Sequence, residues 1–204
     1  AHEIRNPLNA VKTSAYFLLN AKNPSPEKVK EHLERIDRQV SIVDNVITEL
    51  SDVAKLPEAK LVPVSIETLV RDVVSSINIS RDIQKVFSFP DELPNVMADG
   101  HQLSIALRNL IRNARDDMPD GGTLAVEAKA DGEHVLLSVV DTGIGLAKDE
   151  LGLITEPLFT TKARGMGLGL SITNVIIEKN QGSLNAESEL GKGSRFHVTL
   201  KAET

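Results

Sequence analysis

Cysteine and tryptophan are absent from this sequence, and tyrosine occurs once. The first absence excludes disulfides and thiolate metal sites. With only five phenylalanines in 204 residues, any core is built from aliphatic side chains. No apolar run approaches the roughly 20 residues of a membrane-crossing helix, and no signal-peptide pattern is visible. Positive charge is not in surplus. The 23 Lys and Arg stand against 29 Asp and Glu, a net charge of −6, which argues against a nucleic-acid-binding surface. The first residues are Ala1-His2-Glu3, with no initiator methionine, as expected of a piece of a longer protein. What remains, 41% hydrophobic and 25% charged residues, is ordinary for a globular chain with room for one or two domains.

Glycines cluster between Asp141 and Leu170. DTGIG (Asp141–Gly145) follows the apolar run HVLLSVV, and GMGLGL (Gly165–Leu170) leads into the helical pattern SITNVIIEKN. Glycine admits positive φ and lets backbone N–H groups approach a ligand. A glycine run opening a helix puts those groups, and the positive end of the helix dipole, where a phosphate can sit. Glycine clusters by themselves are mostly turns. This one lacks the preceding strand of a dinucleotide fold, and the phosphate-loop pattern GxxxxGK(S/T) is missing from the chain. Specificity comes from the combination: strand-Asp-x-Gly-x-Gly, then PLFTTK, then Gly-x-Gly-x-Gly before a helix.

The chain begins differently. Ile4, Leu8, Val11, Ala15 and Leu18 recur at four-and-three spacing, which predicts a helical seam. His2, Asn6, Asn9 and Thr13 fall on the opposite face. Asn23-Pro24-Ser25-Pro26 ends that helix. Val29, Leu33, Ile36, Val40, Val43, Ile47, Leu50 and Ala54 then repeat the spacing, and Ile42, Val46 and Val53 widen the stripe. Two helices so joined make an antiparallel hairpin. One partner helix cannot cover so wide a stripe, so a homodimeric four-helix bundle is expected, with packing on the following domain as the alternative. A lone surface histidine is usually inert. His2, however, has Glu3 beside it, and a neutral imidazole can act as a nucleophile whose proton a carboxylate takes.

Leu56-Pro57-Glu58 marks the expected boundary between residues 1–56 and 57–204. Beyond it, strand and helix patterns interleave. Strands are expected at Leu61–Val64, Gln84–Phe89, Asn95–Ala98, Thr123–Ala130, His134–Asp141, Ser183–Ser188 and Ser194–Lys201. Helices are expected at Ile66–Ile77, from about Gly100 to Met118, and at Leu168–Asn180. The expected class is α+β, with helices on one face of a mixed sheet. On the long central helix, Leu103, Ala106, Leu107, Leu110, Ile111 and Ala114 form an apolar arc. Gln102, Asn109, Asn113 and Asp116 form a polar stripe beside it. A solvated edge explains such a stripe. So does a functional one, in which amide oxygens serve a hard cation such as Mg²⁺ and amide hydrogens meet phosphate oxygens.

These motifs together resemble the catalytic core of the two-component sensor histidine kinases. HEIRNPL (His2–Leu8) is similar to the phosphoacceptor box and LRNLIRNARDDMPDGG to the asparagine box. DTGIG, EPLFTTK and GMGLGL resemble the first glycine, phenylalanine and second glycine boxes, and GKGSRF the closing glycine turn. The likeness spans nearly the whole chain in five ordered boxes and the closing turn. It implies a dimerisation hairpin followed by a two-layer α/β sandwich of the Bergerat ATP-binding type. It further implies that His2 accepts the γ-phosphoryl group of ATP with Glu3 as base. Asn113 would ligate Mg²⁺, with Asn109 near the phosphates, and Asp141 would accept the adenine amino proton. Gly143 and Gly145 would let the chain pass close to the base. Phe159, Thr161 and Lys162 would belong to a lid, and Gly165, Gly167, Leu168 and Gly169 would close over the triphosphate. A response-regulator receiver domain is the implied partner, Asn6 stands where relatives orient water for a phosphatase reaction, and the catalytic portion is expected in the cytoplasm. One position departs from the pattern: Asp116 stands where many relatives carry a basic residue. ATPases of the same fold typically carry Glu four residues before the metal-binding asparagine. Asn109 stands there instead, which favours a kinase and leaves a non-catalytic ATP-binding dimeric scaffold as the other alternative.

Overall fold

The structure, a computed structural model, describes residues 2–54, 57–156, 159–160 and 167–203, with the side chains of 2–4 and 45–54 excepted. It divides into two compact units, Ala1–Leu56 and Pro57–Thr204.

The first unit is a pair of packed helices, α1 (His2–Asn20) and α2 (Pro26–Ala54). The turn between them places Asn23 at φ 53°, a conformation that asparagine tolerates better than most residues. The helices meet along a face of α1 that the periodicity did not single out. Pro7 and Ser14 are buried there, and the Phe17 ring stacks on His32 with centroids 4.1 Å apart. Part of the expected seam lies elsewhere. Leu8 and Val40 are exposed and Leu33 is 54% exposed, as is Leu19, next to the seam, at 84%. The physical reason is width: a single neighbouring helix covers only a narrow arc, and the apolar stripe extends past it.

The second unit is built on a five-stranded sheet of order β2-β4-β5-β7-β6. Its strands are β2 (Ile83–Ser88), β4 (Gly122–Asp131), β5 (His134–Asp141), β6 (Ser183–Glu189) and β7 (Gly193–Lys201). β2 runs parallel to β4 and the other neighbours are antiparallel. β1 (Val62–Val64) and β3 (Val96–Ala98) make a separate antiparallel pair. Alternation in the strands explains the layering. Leu124 and Val126, Leu137 and Val139, and Phe196 and Val198 are all buried; Ala125 and His197, between the first and last pairs, are only half-buried, while Ser138, between the middle pair, is buried against His197. Successive side chains of a strand point to opposite faces, so one face of the sheet is covered and the other open.

Helices α3 (Ile66–Ser75), α4 (Gly100–Asp116) and α5 (Gly169–Lys179) supply the second layer, with α4 packed on both of the others and over β5. Leu103, Leu107, Leu110 and Ile111 of α4 are fully buried, each burial favouring the fold by roughly 1.5–3 kcal/mol. Ser65 caps α3 by accepting the Thr68 N–H, and Asp99 caps α4 by accepting those of His101 and Gln102. Burial pushes the Asp99 carboxyl up, but the hydrogen bonds from the Gln102, Lys60 and His101 backbones outweigh it and hold the group below its ordinary value of 3.8. A lowered carboxyl stabilises the fold at neutral pH, and that contribution is lost only as the pH falls below the ordinary value. No helix among the described residues is long and apolar enough to cross a membrane.

Candidate functional site

Helix α4 is the spine on which the sequence-distant motifs of the second unit meet. Asn109 is half-buried on it, and its Nδ2 donates to the Gly169 carbonyl at 3.2 Å. That carbonyl also accepts from Thr173 Oγ1 at 2.8 Å, so the glycine turn at the start of α5 is tied to α4 and to its own helix. One turn further along α4, Asn113 accepts the Asp117 N–H at its carbonyl, and the Asp117 carbonyl accepts Ile144 N–H at 3.0 Å. The loop after β5 is thereby attached to the other end of the same helix. The Asn109 side chain is thereby turned to the glycine turn, and Asn113, one helical turn on, is half-buried.

Asp141 closes β5 and is 2% exposed. Its Oδ1 accepts two backbone N–H groups, Gly143 at 2.9 Å and Ser194 at 3.2 Å. A buried carboxylate needs such donors, because a charge removed from water without partners is very costly. The loop behind it is laced by Ser188, whose Oγ accepts from Leu146 N at 2.8 Å and donates to the Gly193 carbonyl at 2.9 Å. Ser188 and Ser194 were not picked out by sequence reasoning. The Gly191-Lys192-Gly193 turn was the available signal, since it delivers both serines to the end of β5.

The glycines of the first box acquire a packing reason of their own. A Cβ on Gly143 would run into the Asp117 carbonyl, and one on Gly145, at φ +65°, would run into the Glu189 carbonyl. Backbone therefore packs directly on backbone around Asp141. Gly145→Ala should lower stability by about 1–3 kcal/mol and weaken nucleotide binding with it. A thermal melt superimposable on that of the parent protein would show that the loop tolerates the side chain.

The start of α5 is open in a different way. Its N-cap is Leu168, which offers no side-chain acceptor to the first-turn N–H groups, and Gly167 before it has φ +66°. Uncapped amides at a helix N-terminus are suited to a phosphate. Phe159 is half-buried, its N–H donating to the Glu156 carbonyl at 3.2 Å. Thr161, Lys162 and Gly165 lie outside the described residues, as do the side chains of His2 and Glu3, both residues being in the first turn of α1. Asn6 is exposed on that helix. Asp116, the departure from the family pattern, is exposed and paired with Arg115 at 2.7 Å. Among the described residues, no cluster of His, Cys, Asp or Glu could hold a metal ion by itself. A buried carboxylate, two amides and helix-end N–H groups that the Leu168 side chain leaves uncapped are of a chemistry that suits a purine nucleotide whose phosphates bring the metal with them.

Known proteins similar to this chain cover nearly all of its length. The profile described as "Histidine kinase-, DNA gyrase B-, and HSP90-like ATPase" matches residues 98–204, and that described as "His Kinase A (phospho-acceptor) domain" matches residues 1–59. Sporulation kinase E of Bacillus subtilis (strain 168) is 36% identical over 98% of this chain and 27% of its own length. Sensor histidine kinase ZraS of Escherichia coli (strain K12) is 37% identical over 98% of this chain and 43% of its own. The chain thus spans less than half the length of these relatives. Among solved structures, full-length ShkA in complex with AMPPNP is similar over 100% of this chain and 45% of its own, with a TM-score of 0.68 and 29% identity.

Proposed function

The chain belongs to the histidine kinase-, DNA gyrase B-, and HSP90-like ATPase family, and we propose that it is a protein-histidine kinase that transfers the γ-phosphoryl group of ATP to His2. The observation that carries this reading is the pairing, on one chain, of a phospho-acceptor helical hairpin at residues 1–59 with an ATP-binding unit at residues 98–204. In the proposed step an imidazole nitrogen of His2 attacks the γ-phosphorus, the bond to the ADP oxygen breaks, and the imidazole proton passes to Glu3. Such a transfer needs positioning and charge neutralisation more than covalent machinery.

Asp141 is proposed to accept the adenine amino proton, a choice that a buried carboxylate makes against a purine with a carbonyl at that position. Asn109 and the N–H groups of Gly167, Leu168 and Gly169 would bind phosphate oxygens. Asn113 would complete the shell of a Mg²⁺ ion held mainly by the phosphates, which neutralises charge at the transferring group. Lys162 would add a positive charge, with Phe159, Thr161 and Gly165 in the same covering segment. The phosphoryl group is proposed to pass next to an aspartate of a response-regulator receiver domain, and Asn6 to orient water in the reverse, phosphatase direction.

With γ-labelled ATP and Mg²⁺ the chain should acquire a label that is lost in acid and kept in base, the signature of a phosphorus–nitrogen bond. Phosphate release without label would mean an ATPase, and nucleotide binding without either would mean a binding module. The hairpin is proposed to dimerise, because Leu33 and Leu19 present an apolar face that α1 and α2 do not cover between them. Light scattering should then report about twice the chain mass of 22.1 kDa, falling to one chain mass in Leu33→Asp. A monomer before the substitution would sink the bundle.

A further inference from the structure

Two amide side chains that take no part in the proposed nucleotide contacts are among the most deeply buried polar groups of the second unit. Gln102 is 1% exposed and Asn180 0%. They stand at helix ends, Gln102 in the first turn of α4 and Asn180 just past α5. Asn180 Oδ1 accepts the Asp99 N–H at 2.6 Å, and its Nδ2 donates to Gln102 Oε1 at 3.2 Å and to the Ile176 carbonyl at 2.8 Å. Gln102 Nε2 donates in turn to the Pro57 carbonyl at 3.0 Å. Asp99 Oδ2 accepts the Lys60 N–H at 3.1 Å. The segment from Pro57 to Lys60 belongs to no helix or strand, so side-chain contacts hold its backbone: this network, together with Lys179 Nζ, which donates to the same Pro57 carbonyl at 3.5 Å.

A buried amide pair is unfavourable unless every donor and acceptor is used. Apolar residues of similar volume would pack the two helix ends together without that requirement. Amides do something that apolar residues cannot, which is to hold the backbone of a segment that has no strand to pair with. We infer that Gln102 and Asn180 are positioning residues for phosphoryl transfer, fastening the segment that follows the hairpin to the two helices that carry Asn109, Asn113 and the glycine turn. This rests on the kinase reading above. Released from the network, Pro57 to Lys60 would lengthen the tether between the ATP-binding unit and the accepting histidine. A longer tether lowers the effective concentration of one for the other and widens the range of orientations sampled.

The test uses the whole chain carrying Gln102→Met. Its kcat for labelling should fall by about tenfold or more, while its KM for ATP and its affinity for a fluorescent ATP analogue stay within about twofold. Hydrogen exchange at the Lys60 amide should accelerate while the interior of α4 stays protected. A packing role alone would lower the melting temperature without separating kcat from KM. Unchanged kcat in the variant overturns the positioning role and leaves the kinase reading intact. A parallel loss of nucleotide affinity also overturns it, because the residues would then be shaping the nucleotide site itself. Failure of the parent protein to take label sinks the kinase reading, and the transfer role with it. Should Gln102→Met not fold, Lys60→Pro releases the exposed segment instead, removing the N–H that Asp99 Oδ2 accepts while leaving both buried amides in place, and undergoes the same kcat, KM and affinity measurements.

Discussion

Replacing His2 by alanine should leave the chain without acid-labile label while it binds ATP as tightly as before. The separation follows from where the groups lie. His2 is in the first turn of α1, in the helical unit, whereas Asp141, Asn109, Asn113 and the glycine turns all belong to the unit from Pro57 onward. Removing a nucleophile from one unit takes nothing from the donor set of the other. The remaining four of the five histidines also bear on the outcome. His197 Nδ1 is 2.9 Å from Ser138 Oγ and its Nε2 faces Glu187. His32 is stacked on Phe17 and its Nδ1 is buried. Only His101 and His134 are exposed. Label that persists in His2→Ala would therefore point to one of those two and would withdraw the assignment of His2.

Asp141→Asn is the second large effect, and its readout is selectivity as much as affinity. Both backbone donors at this position, Gly143 and Ser194, converge on Oδ1. An asparagine oxygen can keep those bonds, so the fold should survive. The change falls on the other atom, where an acceptor becomes a donor. An exocyclic amino group then meets a donor instead of an acceptor, and losing a hydrogen bond to a charged group costs about 1.5–3 kcal/mol, roughly ten- to a hundredfold in affinity for ATP. Inosine triphosphate, with a carbonyl in place of the amino group, should lose much less, so the preference for ATP over it should shrink by about tenfold or more. Equal losses for both nucleotides would remove Asp141 from base recognition. Loss of folding in the variant would instead mean that the carboxylate is held for stability, as part of the Ser188–Ser194 lacing around it.

The two effects separate because transfer and binding use different residues, and the network at Gln102 and Asn180 adds a third class. His2 is proposed to receive the phosphoryl group, Asp141 to select the base, and the buried amides to fix the chain between hairpin and nucleotide unit. Measuring affinity and turnover on the same set of variants distinguishes the three.

Much was legible in the sequence because it is local. Period-two alternation in HVLLSVVD and the 3.6-residue period in the helix bearing Asn109 and Asn113 specify their elements with little tertiary help, and β5 runs over His134–Asp141 as the alternation predicts. Glycines at turns report backbone conformations that few other residues adopt, which made both glycine boxes visible. The roles of the candidate binding groups came from the resemblance of the combined motifs to the sensor histidine kinases. Tertiary structure alone decided how they are held, since those contacts span large separations: 53 residues from Asp141 to Ser194, 60 from Asn109 to Gly169 and 78 from Gln102 to Asn180. Gln102 reads in sequence as one more polar residue on a helix edge. It is buried because Asn180, at the far end of another helix, offers it a partner. In the hairpin the apolar stripe was plain, but periodicity states how wide a stripe is and not which part a neighbour covers. That depends on how α1 is rotated against α2, and it leaves Leu8, Leu19, Leu33 and Val40 exposed.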